Sequence, residues 1–299
     1  LETVQRQIPQ VRRTAVTPQP QITPAFSFDP GSVHPIETGR QVTLIIDDSA
    51  ADGRCPEFVA LAAALFPAAN RVYLEDIRFG PCLGCLHCGF DGRCVYEEKD
   101  DFLRLFEDSV LTADILIFII PLRGRFFSST FQRYLERTFV RNHQQTLKGK
   151  QIAYLISGRL AGNYLLHEVL TGYTETMGGN LVSILSDEQP QHLCDQLRLT
   201  ATQLAAYSEK EIRLPNSFLG VGGMKIFRDD IYSHLRFVFQ QDHAYYRRNR
   251  LYDFPQRKRL KRLITTFGVL VSRIPGLRGK IQSHLKEGMI RPYRKIEYK

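Results

Sequence analysis

No apolar run in this chain is long enough to cross a bilayer: the longest, Ile115–Pro121, falls far short of the roughly 20 residues a spanning helix needs. It is the length of a buried strand. The first residues, Leu1–Gln21, lack the apolar centre of a secretory signal and carry Arg6, Arg12 and Arg13 instead. The expected location is therefore cytoplasmic, where thiols stay reduced. Acids are scarce at one end. From Arg247 to Lys299 there are sixteen Lys and Arg against Asp253, Glu287 and Glu297, so the +9 net charge belongs to the C-terminal part. No recognisable nucleic-acid module accompanies that charge, and nucleic-acid binding ranks below the other readings. Residues 1–40 lack any period of 2 or 3.6 and hold Pro9, Pro18, Pro20, Pro24, Pro30 and Pro35, which reads as an extended arm or linker.

Cysteine is rare outside one place. Of six, four lie in Cys82-Leu-Gly-Cys85-Leu-His-Cys88-Gly-Phe-Asp-Gly-Arg-Cys94, spaced C-x2-C-x2-C-x5-C, while Cys55 and Cys194 read as ordinary thiols. Sulfur is a soft ligand, and four convergent thiolates suit an iron–sulfur cluster. Structural zinc also takes four thiolates, and thiols without metal remain a third reading.

Around this stretch the chain alternates short apolar runs with helical patterns. Strands are expected at Val42–Ile46, Arg71–Leu74, Ile115–Ile120 (with Pro121 as its stop), Gln151–Ile156 and Leu181–Leu185. Helices are expected at Pro56–Leu65, Asp100–Leu111, Phe127–Val140, Asn163–Met177 and His192–Ser208. Continuous apolar strands imply burial on both faces, hence a parallel sheet in a three-layer α/β sandwich. Ligands of such sheets bind at the carboxyl ends of the strands. The loops there are 47–55, 121–130 and 157–163, and the cysteine stretch follows strand two at the same edge. The expected division is an arm (1–40), an α/β domain (41–210) and a basic helical extension (211–299).

In the extension, Leu219-Gly-Val-Gly-Gly-Met224 is rich in glycine but follows no strand, so it is weak evidence for a phosphate loop. Arg257–Ile274 places Leu260, Leu263, Ile264, Phe267, Leu270, Val271 and Ile274 on one helical face, with Lys and Arg opposite. The favoured expectation is that this stripe packs on its own domain. The competing one is contact with an anionic membrane surface.

The cysteine spacing after strand two, with Asp100-Asp101 opening the next helix, resembles the iron–sulfur flavoproteins of the NADPH-dependent FMN reductase superfamily, over about residues 40–190. The resemblance implies a flavodoxin-like fold with a five-stranded parallel sheet, FMN, and a [4Fe-4S] cluster on Cys82, Cys85, Cys88 and Cys94. It also implies NAD(P)H or a small redox carrier as partner, and a homo-oligomer. Carried over by position, the flavin contacts would be Ser49, Gly53 and Arg54 in the first loop, then Pro121, Leu122, Arg123, Gly124 and Ser128, and Ser157, Gly158 and Gly162 in the third. The first loop departs from the family in carrying Asp47, Asp48 and Asp52, whose charge opposes a phosphate. The implied function is flavin-dependent electron transfer. The alternative is a non-enzymatic, zinc-stabilised protein whose basic helix docks on a membrane or an acidic partner.

Overall fold

The computed structural model describes residues 33–47, 55–141, 144–252 and 259–291. Strand β1 (Val42–Ile46) is buried throughout. Helix α1 (Cys55–Leu65) follows and leads to β2 (Asn70–Tyr73). The cysteine stretch contains one short helix, α2 (His87–Asp91). Helix α3 (Phe102–Leu105) widens into a π turn at Phe106–Leu111 and leads to β3 (Ile115–Arg123). A two-residue strand β4 (Phe126–Phe127), helix α4 (Ser129–Arg137), β5 (Gln151–Ser157), α5 (Tyr164–Thr176), β6 (Asn180–Ser186) and α6 (Pro190–Glu209) complete the domain.

Five strands pair in parallel in the order β2-β1-β3-β5-β6, which is the flavodoxin-like order. The apolar runs are continuous because each face of the sheet is covered. Phe58, Leu61 and Leu65 of α1 and Leu193, Leu197 and Leu204 of α6 fill one side. Phe102, Phe106, Phe131, Tyr134, Leu166 and Leu170 fill the other. Packing on this domain begins ahead of residue 41: Val33 and Ile36 lie on the α1 side, and the Ile36 amide donates to Leu65 O at 2.8 Å.

Pro121 does not stop β3. It pairs with Ser157, and the strand runs on to Arg123 before folding back antiparallel as β4. The last pair with β1 is Ile46 with Ile119, so on that side the missing proline N–H interrupts no ladder.

Beyond α6, helix α7 (Phe218–Asp230) continues into a π turn at Ile231–Leu235, followed by α8 (Gln240–Arg248), α9 (Arg259–Val271) and α10 (Pro275–Ile290). The glycine-rich stretch is part of α7 and serves as a packing seam. A Cβ on Gly220 would overlap the Glu175 side chain, and one on Gly223 would come within 2.9 Å of Thr176 Cγ2. Glu175 in turn accepts from the Ser217 amide and hydroxyl at 2.9 and 2.5 Å, fixing the start of α7 on α5.

The stripe on α9 does not pack inward. Leu260, Leu263, Ile264 and Phe267 are 71%, 67%, 63% and 69% exposed. The polar side of α9 is the one held. Arg262 lies over the Tyr232 ring at 4.2 Å, Arg236 donates to Thr266 Oγ1 at 3.1 Å, and Thr265 donates to Ser233 O at 3.4 Å. Gly268 lets the helix approach Phe237 closely. The segment facing α9 presents polar groups, and these select its threonines rather than its leucines. Among the described residues no helix is long and apolar enough to cross a membrane.

Candidate functional site

The cysteine stretch leaves β2 and wraps a small cavity. Cys82, Cys85, Cys88 and Cys94 all line it, together with Leu86, Val95, Tyr96, Phe139, Val140 and Arg137. Two left-handed residues, Gly84 (φ 59°) and Leu86 (φ 64°), reverse the chain around it. The Gly84 amide donates to Cys82 Sγ at 3.4 Å. Burial first, then the neighbouring Cys82 and Cys85, push the Cys88 thiol up to about 12.

Arg137, at the end of α4, holds the wall. Its side chain is 2% exposed and grips Asp100, itself 7% exposed, at 2.5 and 3.1 Å. It also donates to Gly80 O at 3.1 Å, reaches Cys94 Sγ at 3.9 Å and lies 4.3 Å over the Tyr96 ring. Burial pulls the Arg137 pKa down, but Asp100 and then Cys94 outweigh it, and the guanidinium stays firmly charged. Asp100 therefore anchors this arginine, a role its place at a helix start did not reveal. It also accepts from the Phe102 amide at 3.3 Å.

The cysteine stretch also packs against the C-terminal helices. Phe90 belongs to a third apolar core with Ile231, Val238, Phe239, Tyr246 and Leu285. Gly89 is so close to Phe239 that a Cβ would stand 2.7 Å from its ring. Gln282 donates to Asp91 Oδ2 at 2.9 Å, and Lys286 to Leu83 O at 2.7 Å.

The carboxyl edge of the sheet lies along the same α4. Ser49, Gly53 and Arg54, expected around a flavin phosphate, fall outside the described residues. Asp47 is fully buried and accepts from the Ser128 hydroxyl at 2.5 Å, while Ser128 Oγ accepts from the Phe131 amide at 3.0 Å. Ser128 is thus the N-cap of α4 and its tie to the end of β1. Pro121, Leu122, Arg123 and Gly124 form the outgoing arm and turn of the β3–β4 hairpin, with Gly124 left-handed. The third loop meets that hairpin. Asn163 Nδ2 donates to Arg125 O at 2.8 Å, and Gly158 abuts Leu122 so closely that a Cβ would sit 3.0 Å away.

Two carboxylates after β6, Asp187 and Glu188, staple this third loop. Asp187 accepts from the Ser157 hydroxyl at 3.0 Å and the Gly158 amide at 2.9 Å. Glu188 accepts from the Leu160 and Ala161 amides at 2.9 and 2.8 Å. Neither was singled out from sequence, although carboxylates directly after a parallel strand lie where such sheets place their sites. The edge fits a flavin in part. It brings the hairpin and the third loop together, but it directs three loop amides to its own carboxylates. Gly162 is left-handed, at the end of the loop away from those bonds.

The cysteine cavity fits a metal–sulfur body in its donor set: four thiols, apolar walls, amide donation to sulfur and one fixed cation. Among the described residues no three His, Cys, Asp or Glu side chains stand close enough to share a single ion.

No protein-family model matches the chain, and no curated protein matches it. Solved structures do. A flavone reductase is 13% identical with a TM-score of 0.42, over 56% of this chain and 63% of that one, so the match spans less than two thirds of its length. RosB with bound 8-demethyl-8-formylriboflavin-5'-phosphate is 13% identical with a TM-score of 0.43, over 63% of this chain and 87% of that one. An NADH:FMN oxidoreductase, EMOB, is 16% identical with a TM-score of 0.38, over 56% and 89%. At such identities and scores the likeness transfers no function, and the flavodoxin-like assignment stands on this chain's own strand order.

Proposed function

We propose that the chain is a flavin-dependent oxidoreductase that passes electrons between NAD(P)H or a small redox carrier and an acceptor. In this reading FMN occupies the carboxyl edge and a [4Fe-4S] cluster the cysteine cavity. The observation that carries it is the lining of one cavity by all four cysteines. Tetrahedral zinc would draw the sulfurs to about 2.3 Å from one point, and no three described side chains approach that arrangement. The choice of a cluster over zinc rests on the C-x2-C-x2-C-x5-C spacing and the shared lining. When bound, a flavin and a cluster would supply two-electron and one-electron chemistry between them. The chain's own residues position rather than react. Arg137 and the Gly84 amide set the field at the sulfurs, while Asp47, Asp187 and Glu188 fix the loops.

Anaerobic purification with absorbance, iron, zinc and released flavin measured on one sample tests this. About four irons per chain with FMN is the expected result. Zinc, or neither metal nor flavin, overturns it, and iron without flavin removes the NAD(P)H–flavin half.

The exposed stripe favours a second, compatible reading: attachment to an anionic membrane surface. Leu263 and Phe267 face solvent on a helix rich in Lys and Arg, as an interfacial helix requires. The protein should co-sediment with vesicles containing phosphatidylserine and lose at least about tenfold in affinity on Phe267→Glu. Wild-type protein left in the supernatant at low salt removes this reading.

A further inference from the structure

We propose that α8 and α9 form a binding pocket for a phosphate-bearing ligand, apart from both the cysteine cavity and the sheet edge. The pocket is about 390 Å³ and shares no lining residue with the cysteine cavity. Arg236, Arg247, Arg248 and Arg273 line it, with Gln240 and His243, and no Asp or Glu does. None of the four arginines makes an ion pair with an acid among the described residues. Arg236 instead feels the charge of a neighbouring arginine of the pocket, Arg247. Burial first, then Arg247 and Arg262, lower the Arg236 pKa. Cations held together without a counter-charge are unfavourable, and an anion seated among them relieves that repulsion.

His243 supplies a second, independent sign of a ligand. It is 9% exposed, lines the pocket, and its buried Nε2 has no partner. Its Nδ1 lies 2.8 Å from the Tyr252 hydroxyl. Burial raises the Tyr252 pKa, so that hydroxyl keeps its proton and can pair with either tautomer of the ring. In either tautomer Nε2 is a buried polar atom without a partner, on a residue that lines the arginine pocket. Burial, and then Arg236, Arg247 and Arg262, bring the His243 pKa down to about 4, so the ring is neutral at neutral pH.

Planar guanidinium groups match the oxygens of a phosphomonoester or diphosphate. The volume exceeds a bare phosphate and accommodates a small group attached to it. Two sources share this chemistry: a soluble phosphorylated molecule, and the headgroup of an anionic phospholipid.

The test uses the full chain as purified. Inorganic pyrophosphate at about a hundred times its Kd should raise Tm by roughly 5 °C. It should also raise the His243 pKa, read from its imidazole NMR signals, because the anion offsets the arginines. Arg247→Gln and Arg248→Gln, both at exposed positions, should each weaken binding at least about tenfold. Arg198→Gln, on α6 and 61% exposed, should change nothing. A parallel arm uses phosphatidylcholine vesicles doped with phosphatidic acid. Pyrophosphate binding sensitive to Arg247→Gln assigns the soluble source. Vesicle capture sensitive to that substitution, without pyrophosphate binding, assigns the lipid headgroup. The pocket is refuted if neither probe binds, or if Arg198→Gln weakens binding as much as Arg247→Gln.

Discussion

Replacing Arg137 with alanine should destabilise the protein by about 3–5 kcal/mol, the usual result of removing one partner from a buried ion pair. The side chains are 2% and 7% exposed, so water cannot take over from the missing guanidinium. Asp100 would be left without its partner in an apolar surround beside Phe102, and the stack on Tyr96 would vanish. Gly80 O and Cys94 would lose donors together, loosening the stretch that carries the thiols. Arg137→Lys restores a charge but not the fork that grips both carboxylate oxygens, and should recover only part of the loss. Urea unfolding of wild type, Arg137→Ala, Asp100→Ala and the double variant measures this as a cycle. The double variant should be more stable than Arg137→Ala, because it no longer buries a lone carboxylate. A loss below about 1 kcal/mol for Arg137→Ala would mean that the pair behaves as a surface ion pair.

Cys88→Ser should reduce iron from about four per chain to near zero while leaving the sheet folded. Cys88 sits against the core side that Phe102 and Tyr134 fill, and burial pushes its thiol up. Serine is nearly isosteric but offers a hard oxygen in place of a soft sulfur. Cys55 and Cys194 separate ligation from folding. Cys55 is fully buried beside α1, so Cys55→Ser should cost about 1–3 kcal/mol by burying a hydroxyl, with iron unchanged. Cys194→Ser should alter neither. Full iron retention in Cys88→Ser would remove that residue from the ligand set. Iron and circular dichroism on matched samples decide between these outcomes.

The central strands β1, β3 and β5 were legible because each is a nearly continuous apolar run, which only burial on both faces permits, whereas in β2 only Val72 is buried. The hairpin at Pro121–Phe127 was not. Proline signals an end unless its missing donor falls where no neighbour waits, and that depends on how far β1 extends. Periodicity located the stripe on α9 but not its direction. The groups that select the inward face, Ser233 and Arg236, lie about 30 residues earlier. The cysteines were legible as a set from spacing alone, whereas their wall was not: Arg137 and Asp100 stand 37 residues apart, and neither has a local pattern naming the other.

The docking of α10 on the cysteine stretch also sets an order in time. Gln282 meets Asp91 across 191 residues of chain, and Lys286 meets Leu83 across 203. At about 5–20 residues per second of synthesis, roughly 10–40 s separate the emergence of the thiols from that of the helix that docks beside them. During that interval the sheet can form while the cysteine stretch still faces the medium. A cluster delivered by another protein would have its access then, before the last helix docks. A chain ending ahead of Pro275 should hold its cysteine stretch more loosely, because the bonds from Gln282 and Lys286 would be missing.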